Sequence, residues 1–409
     1  SPHPPTEATP MTTRARLPGH RFLHSPGPSR VPDEVLHAMS RQPMDLADPR
    51  VDACIKACET GLKRLLHTGH DVFLYAANGH GAWEAVIANL VQPGTKVLVA
   101  GTGHFSESWA IQTEAMGGVV IRTPWVEGLP IAPADIEAAL RDDTAHEIKA
   151  VFTVHTDTAS GITSDLAAIR AAIDRAGHPA LYVVDVVASL AAAPFDMAAL
   201  RANVVLGACQ KGLMVPPGLG FVAVDEVAMA FSRENPAPRF YWDWRLRQSE
   251  LSYRKFCGTP PQSLLAGLEA SLALIFHEGE AEVLARHRRL ADAVHAAVAR
   301  WSEAGALSFF ASVPASRSVS VTAIAVAPGI DPEAMRAVAR ERFQVAIAGG
   351  LGPLAGRVFR IGHLGDLNPA MVLGALAGVE AAMSVQGVPF GRGGVDCAVA
   401  SLSAAAPAS

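Results

Sequence analysis

The stretch Val204-Val205-Leu206-Gly207-Ala208-Cys209-Gln210-Lys211-Gly212-Leu213-Met214-Val215-Pro216-Pro217-Gly218-Leu219-Gly220-Phe221 carries the first decision about the chain. It reads as a strand, a tight turn bearing a lysine and a glycine, and a second strand. The runs 204–206 and 219–224 are short, apolar and rich in β-branched residues, as buried strands are. Lys211 therefore stands between two elements that belong inside the molecule. An ammonium group there needs a partner or a lowered pKa. A lysine so placed can attack a carbonyl and form a Schiff base, the chemistry that holds an aldehyde cofactor. The local spacing serves equally well for a surface lysine beside a proline corner, so the segments around it have to decide.

Composition narrows the classes. With 409 residues, 50% of them hydrophobic, the chain can build more than one core. Lys and Arg total 34 against 39 Asp and Glu, a formal net charge of -5, and no basic tract occurs. That argues against a nucleic-acid groove. Cys54, Cys58, Cys209, Cys257 and Cys397 form neither an even disulfide framework nor a CxxC metal pattern, so no metal site is expected and the setting reads as reducing and cytoplasmic. No run of about 18 uncharged apolar residues is present, so no membrane span is expected. Residues 1–10 are polar and proline-rich, lack a signal-peptide apolar core, and read as an extension ahead of Met11. The Gly/Ala/Ser-rich residues 391–409 read as a flexible tail.

Outward from the lysine, strand and helix patterns alternate. His24-Ser25-Pro26-Gly27-Pro28-Ser29-Arg30 is a rigid turn in an N-terminal arm. The strand at 71–76 runs into Gly79-His80-Gly81 and an apolar helix to Leu90, an arrangement that offers backbone N–H groups and a helix dipole to an anion. It has neither GxGxxG nor GxxxxGK[ST], so neither a dinucleotide nor a nucleoside-triphosphate fingerprint is supported. The strand at 96–100 leads to Phe105, whose flat face could meet an aromatic ring. The strand at 148–154 delivers His155-Thr156-Asp157-Thr158-Ala159-Ser160-Gly161 at its carboxyl end, where ligand groups collect in open α/β sheets. Asp185 ends a nearly all-apolar strand, which is costly unless it meets a positive group or hydrogen bonds. A carboxylate there can keep a ring nitrogen protonated, or it can cap the next segment. The cluster Arg239-Phe240-Tyr241-Trp242-Asp243-Trp244-Arg245 suits a ligand entrance or a subunit contact. From about Val283 the pattern changes to a smaller α+β unit, in which Arg360 alternates with apolar neighbours. Its planar fork could clamp a carboxylate, or it could form a structural ion pair. The expected division is an arm at 1–30, a large domain at 31–282, a small domain at 283–390 and the tail.

Gly79-His80, Thr158, Asp185, Gln210-Lys211 and Arg360, in that order, resemble fold-type I pyridoxal-phosphate enzymes. Within that fold the chain resembles class V aminotransferases of the serine–glyoxylate and alanine–glyoxylate group. The likeness covers about residues 21–383 and is carried by Ser25-Pro26-Gly27-Pro28, His155 to Gly161, Val184-Asp185-Val186-Val187-Ala188-Ser189, Gln210-Lys211-Gly212-Leu213-Met214 and Arg360-Ile361-Gly362. It implies an α/β architecture, with a large domain around a mostly parallel sheet and a smaller C-terminal α+β domain. It further implies pyridoxal 5'-phosphate as cofactor and transfer of the amino group of a small L-amino acid, serine first, to glyoxylate by alternating half-reactions. In residue terms, Lys211 would tether the cofactor and Asp185 would pair with its pyridine nitrogen. Gly79, His80 and Gln210 would hold its phosphate, with Thr259 supplied across a homodimer interface that contains the active sites. Thr158 would lie at the ring edge, and Phe105 would take the stacking position that is often tryptophan. Arg360 would bind the substrate α-carboxylate, assisted by the Pro26-Gly27 backbone. Phe256 stands where relatives have a phosphate-side tyrosine, and His363 stands at a commonly apolar position, which bears on the substrate. Alanine, aspartate or pyridoxamine as donor, pyruvate as acceptor, a pyridoxal-phosphate lyase such as a cysteine desulfurase, and a noncatalytic cofactor-binding protein are the alternatives.

Overall fold

The turn bearing Lys211 joins the strands Val204–Ala208 and Leu219–Val224, which pair antiparallel with Phe221 opposite Gly207. The computed structural model describes residues 17–404, so the readings of 1–10 as an extension and of the last five residues as tail lie outside the described residues. The two strands belong to a seven-stranded sheet ordered Asp71–Ala76, Leu219–Val224, Val204–Ala208, Leu181–Asp185, Ile148–Val154, Lys96–Val99, Val119–Arg122. All but Leu219–Val224 run the same way. A sheet of this kind is covered by helices on both faces, which is why its central strands are apolar along their whole length. Period-two alternation then sorts the side chains. Tyr182 and Val184 enter one core, while Leu181 and Val183 enter the other, the one that contains Trp83 of the helix Gly79–Leu90. Asp185 follows the second period and emerges at the carboxyl end of its strand toward that helix.

A second sheet of five strands, ordered Phe22–His24, Val345–Gly349, Val358–Gly362, Val321–Val326, Leu307–Phe309, is packed around Trp301, Phe359 and Val379. The arm therefore does not stand apart. Phe22–His24 pairs parallel with Val345–Gly349 and forms an edge of this sheet. The expectation of a flexible tail fails for Gly394–Ala404, which forms a helix against the helix Glu280–Ser302. Its small residues are what allow the close approach. Ala398 is fully buried, and a Cβ on Gly394 would lie 2.2 Å from Trp301 Nε1. Among the described residues no group of three or more His, Cys, Asp or Glu could hold a metal ion, and no helix is long and apolar enough to cross a membrane.

The second sheet meets the carboxyl end of the first. Ser318 N–H donates to Gly161 O (3.0 Å) and Ser320 Oγ–H to Ala188 O (2.6 Å). Buried histidines fasten the same region. His24 Nδ1–H donates to Gly362 O at 3.0 Å. His363 gives Nδ1–H to Val319 O and accepts from Thr322 Oγ1 at Nε2, both 2.8 Å. His287 gives Nδ1–H to Val283 O (2.7 Å) and accepts Gly365 N–H (3.0 Å). Burial lowers His24, His287 and His295 to about 4 and His363 well below its ordinary value. These rings stay neutral when folded and take up protons near pH 6.5 when unfolded. Their contribution is complete above pH 6.5 and is lost as pH falls toward 4, at roughly 1.4 kcal/mol per pH unit for each ring. Urea unfolding midpoints are expected to drop steeply between pH 6.5 and pH 4, and a flat profile over that interval would contradict the neutral assignment.

Candidate active site

The arm is laid along the lysine turn. Ser29 N–H donates to Gln210 O (2.9 Å) and Ser29 Oγ–H to Lys211 O (2.7 Å). A Cβ on Gly212 would sit 2.2 Å from Leu190 O, so the turn requires glycine directly after the lysine. The Lys211 ammonium donates to Pro26 O at 2.8 Å, and a Cβ on Gly27 would lie 2.3 Å from Nζ. Burial lowers the amine to about 8, helped by the charge of Arg360 and opposed by Asp185 and Asp157.

Asp185 is 4% exposed. Its Oδ1 accepts Val187 N–H and its Oδ2 accepts Trp83 Nε1–H, both at 2.7 Å. Burial nevertheless pushes the carboxyl up to about 6, and the negative charge of Asp157 adds to this. Asp157 is wholly buried and accepts from Thr102 Oγ1 (2.9 Å), Phe105 N (3.0 Å) and Ala159 N (2.9 Å). It supplies the cap that Gly103 cannot give to the helix His104–Ala115, and so fixes where Phe105 stands. Trp83 and Asp157 are site residues that the sequence reading missed. The available signals were an aspartate in the loop at a strand's carboxyl end and a tryptophan four residues after Gly79, on the same helix face.

Arg360 is 5% exposed, yet its bonds go to carbonyls, Nε–H to Gly349 O (2.7 Å) and Nη1–H to Thr158 O (2.9 Å). Among the described residues it has no carboxylate partner within ion-pair distance, in contrast to the structural pair weighed above. Burial lowers it to about 10, and it stays charged.

Gly79, His80, Phe105, Thr158, Asp185, Gln210 and Lys211 line one pocket of about 190 Å³. Pro26 and Gly27 adjoin it through Lys211, and Arg360 through Thr158. In the first turn of the helix Gly79–Leu90, Asn78 takes the N–H groups of Gly81 and Ala82, and those of Gly79 and His80 have no acceptor within the helix. The Gln210 side-chain oxygen is buried without a hydrogen-bond partner. Thr259 is not brought here by its own chain. It lines a separate cleft with Met44 and Cys54. Phe256 is buried in the core, and His363 is engaged by Thr322 and Val319; neither lines the pocket. A larger cleft of about 610 Å³ near Lys56 and Arg247 is charged, but Lys255 and Glu59 in it neutralise one another.

Residues 21–354 match the family model described as aminotransferase class-V. The chain belongs to the class-V aminotransferases. Over 379 residues this aminotransferase is 39% identical to the serine–glyoxylate aminotransferase of Methylorubrum extorquens, covering 91% of this chain and 93% of that protein. Over 372 residues it is 38% identical to the L-aspartate–glyoxylate aminotransferase of Paracoccus denitrificans, covering 90% and 92%. The crystal structure of ureidoglycine–glyoxylate aminotransferase from Bacillus subtilis superposes with a TM-score of 0.85 at 26% identity, covering 95% of this chain and all of that one. The fold is that of the fold-type I transferases, and the cofactor of this aminotransferase is pyridoxal phosphate. In cofactor-free protein, labelling of Lys211 by an amine-acylating reagent should reach half its maximum near pH 8, because the neutral amine appears above that value. Peptide mass analysis of the labelled lysines checks this, and a midpoint above pH 10 would show an ordinary exposed amine.

Proposed function

We propose that this aminotransferase moves the amino group of a small L-amino acid, serine foremost, to glyoxylate, with pyridoxal phosphate held in the pocket at Lys211. The observation that carries the reading is the buried Lys211 amine, set among the Asp185 carboxylate and the Arg360 guanidinium, which has no ion-pair partner among the described residues. The donor set suits the cofactor. An amine is available for its aldehyde, a carboxylate for its ring nitrogen, and the Gly79 and His80 N–H groups with the Gln210 amide for its phosphate. Phe105 would cover the ring face and Thr158 its edge. Thr259 would come from a second copy of the chain, so the proposal includes a homodimer. Phe240, Leu251 and Tyr253, exposed by 70%, 60% and 59% near Thr259 in sequence, support such a contact. The free cysteines suit a reducing cytoplasm.

When bound, pyridoxal phosphate supplies an aldehyde that takes up the amino group and a cationic ring that draws off the electrons left at the α-carbon. Arg360, aided by the Pro26-Gly27 backbone, would receive the α-carboxylate and turn the α-hydrogen toward Lys211. Lys211 Nζ would accept that proton and return it, and an amine titrating near 8 is poised for both transfers. Asp185, as carboxylate, would hold the proton on the ring nitrogen.

Aspartate as donor is the second reading, supported by the Paracoccus relative. The pocket favours serine, because Lys211 is the cationic side chain among its described lining residues, burial holds His80 below its ordinary value, and no second guanidinium stands there for a side-chain carboxylate. No cysteine lines it either, which favours transfer over desulfuration. Lys211→Ala is expected to lower turnover by ~10⁴-fold or more while the protein stays folded, as loss of a covalent catalytic group does. Turnover of the variant near the parent rate would defeat the assignment. Arg360→Ala should raise KM for both the amino acid and the oxo acid by about 10- to 100-fold, since a charge-assisted bidentate contact is lost, and leave cofactor affinity unchanged. Product analysis with serine or aspartate against glyoxylate, read as kcat/KM, decides the donor.

A further inference from the structure

We propose that Trp83 is a positioning residue, whose indole N–H holds Asp185 in the ionised state that a protonated ring nitrogen requires. This rests on the reading of Asp185 given under the proposed function. The indole nitrogen is a donor only, and its target is the Asp185 oxygen 2.7 Å away inside the core. The other carboxylate oxygen also faces a donor, Val187 N–H. Two fixed donors and no fixed acceptor stabilise the carboxylate over the carboxylic acid.

The donor cannot swing away. Trp83 stacks on Trp109 with centroids 5.7 Å apart and planes 7° apart, and Trp109 stacks on Phe152 at 4.4 Å and 15°. His80 leans on Trp83 at 4.4 Å, and Phe105 meets it edge-on at 6.4 Å. A comparison within the same core is instructive. Among the described residues Trp109 buries its indole N–H with no hydrogen-bond partner, so its bulk fills the core. The Trp83 indole is aimed at the pocket carboxylate.

Every charged or titratable group around Asp185 enters the balance. Asp157, on the short strand Thr156–Asp157 that follows the neighbouring strand, disfavours its charge, as burial does. Lys211, from the lysine turn, favours it. His155 gives its backbone N–H to Asp185 O, and its ring, bonded to Ser189, is held neutral by burial with a value of about 4. His80 lies against Trp83, and burial lowers it too. The carboxyl therefore stands at about 6, so loss of one of its two donors carries it toward neutral pH.

The test is a pH titration of cofactor-free protein by ¹³C NMR with labelled aspartate, in the parent and in Trp83→Phe. The Asp185 midpoint is expected to rise by about one pH unit, the scale of one lost hydrogen bond to a charged group. In the same variant, affinity for pyridoxal phosphate should fall about twofold at pH 7, approach a roughly tenfold deficit by about pH 5, and match the parent value by about pH 9. A merely structural tryptophan would give a deficit independent of pH. Replacement of Trp83 by 3-benzothienylalanine, which keeps the bicyclic shape and loses the N–H, should reproduce both shifts even if Trp83→Phe folds poorly. An unmoved Asp185 midpoint in the benzothienyl protein overturns the proposal. Asp185→Asn separates the two readings. If it loses cofactor affinity and turnover at every pH while the indole replacement changes nothing, only the role of Trp83 falls. If Asp185→Asn behaves as the parent, the reading of Asp185 falls with it.

Discussion

Two cationic and two anionic side chains, Lys211, Arg360, Asp157 and Asp185, are taken out of water around the carboxyl end of one sheet. Removing any one ion from water costs several kcal/mol after relaxation, and mutual attraction repays this only when each charge is also hydrogen-bonded. Much of the surrounding backbone meets that requirement. The arm offers Pro26 O to the lysine, and Gly349 and Thr158 offer carbonyls to the arginine. Helix and loop N–H groups serve the aspartates. The irregular segments around the pocket are held by these bonds as well as by apolar packing, as Leu213 and Met214 beside Lys211 show.

The same burial sets the chemistry. It pulls the amine down and pushes the carboxyl up, so both approach neutrality from opposite sides. One desolvated volume thus yields a base that can give its proton back and an acid that stays ionised only with help. Arg360 resists this pull because guanidinium starts so far above neutrality that a value of about 10 leaves it charged.

The large sheet was legible because its strands are buried on both faces and read as unbroken apolar runs between turn signals. The strands at 71–76, 148–154 and 219–224 have the bounds expected of them. The strand Val345–Gly349 was not legible: Val-Ala-Ile-Ala-Gly is short, three of its five residues are small, and it follows Gln344 in a left-handed conformation. The helix Gly394–Ala404 was masked by composition, since Gly, Ala and Ser suit a close helix contact as well as a loose tail. At the site, Lys211, Asp185 and Arg360 stood out as charged residues in apolar settings, although spacing alone left a surface turn, a helix cap and a structural ion pair open for them. Trp83 and Asp157 did not, because an indole in an apolar helix looks like filling, and an aspartate in a polar loop looks like a turn. Their meaning depends on partners 102 and 52 residues away, which no local pattern reveals.

The pairing of Phe22–His24 with Val345–Gly349 makes the chain's first described strand a passenger of its last sheet. Arg360 rides on the neighbouring strand of that sheet, and the arm continues from His24 to the carbonyl above Lys211. The lysine's cover and the guanidinium are therefore both mounted on one sheet. The arm bridges that mount to the turn that bears the amine.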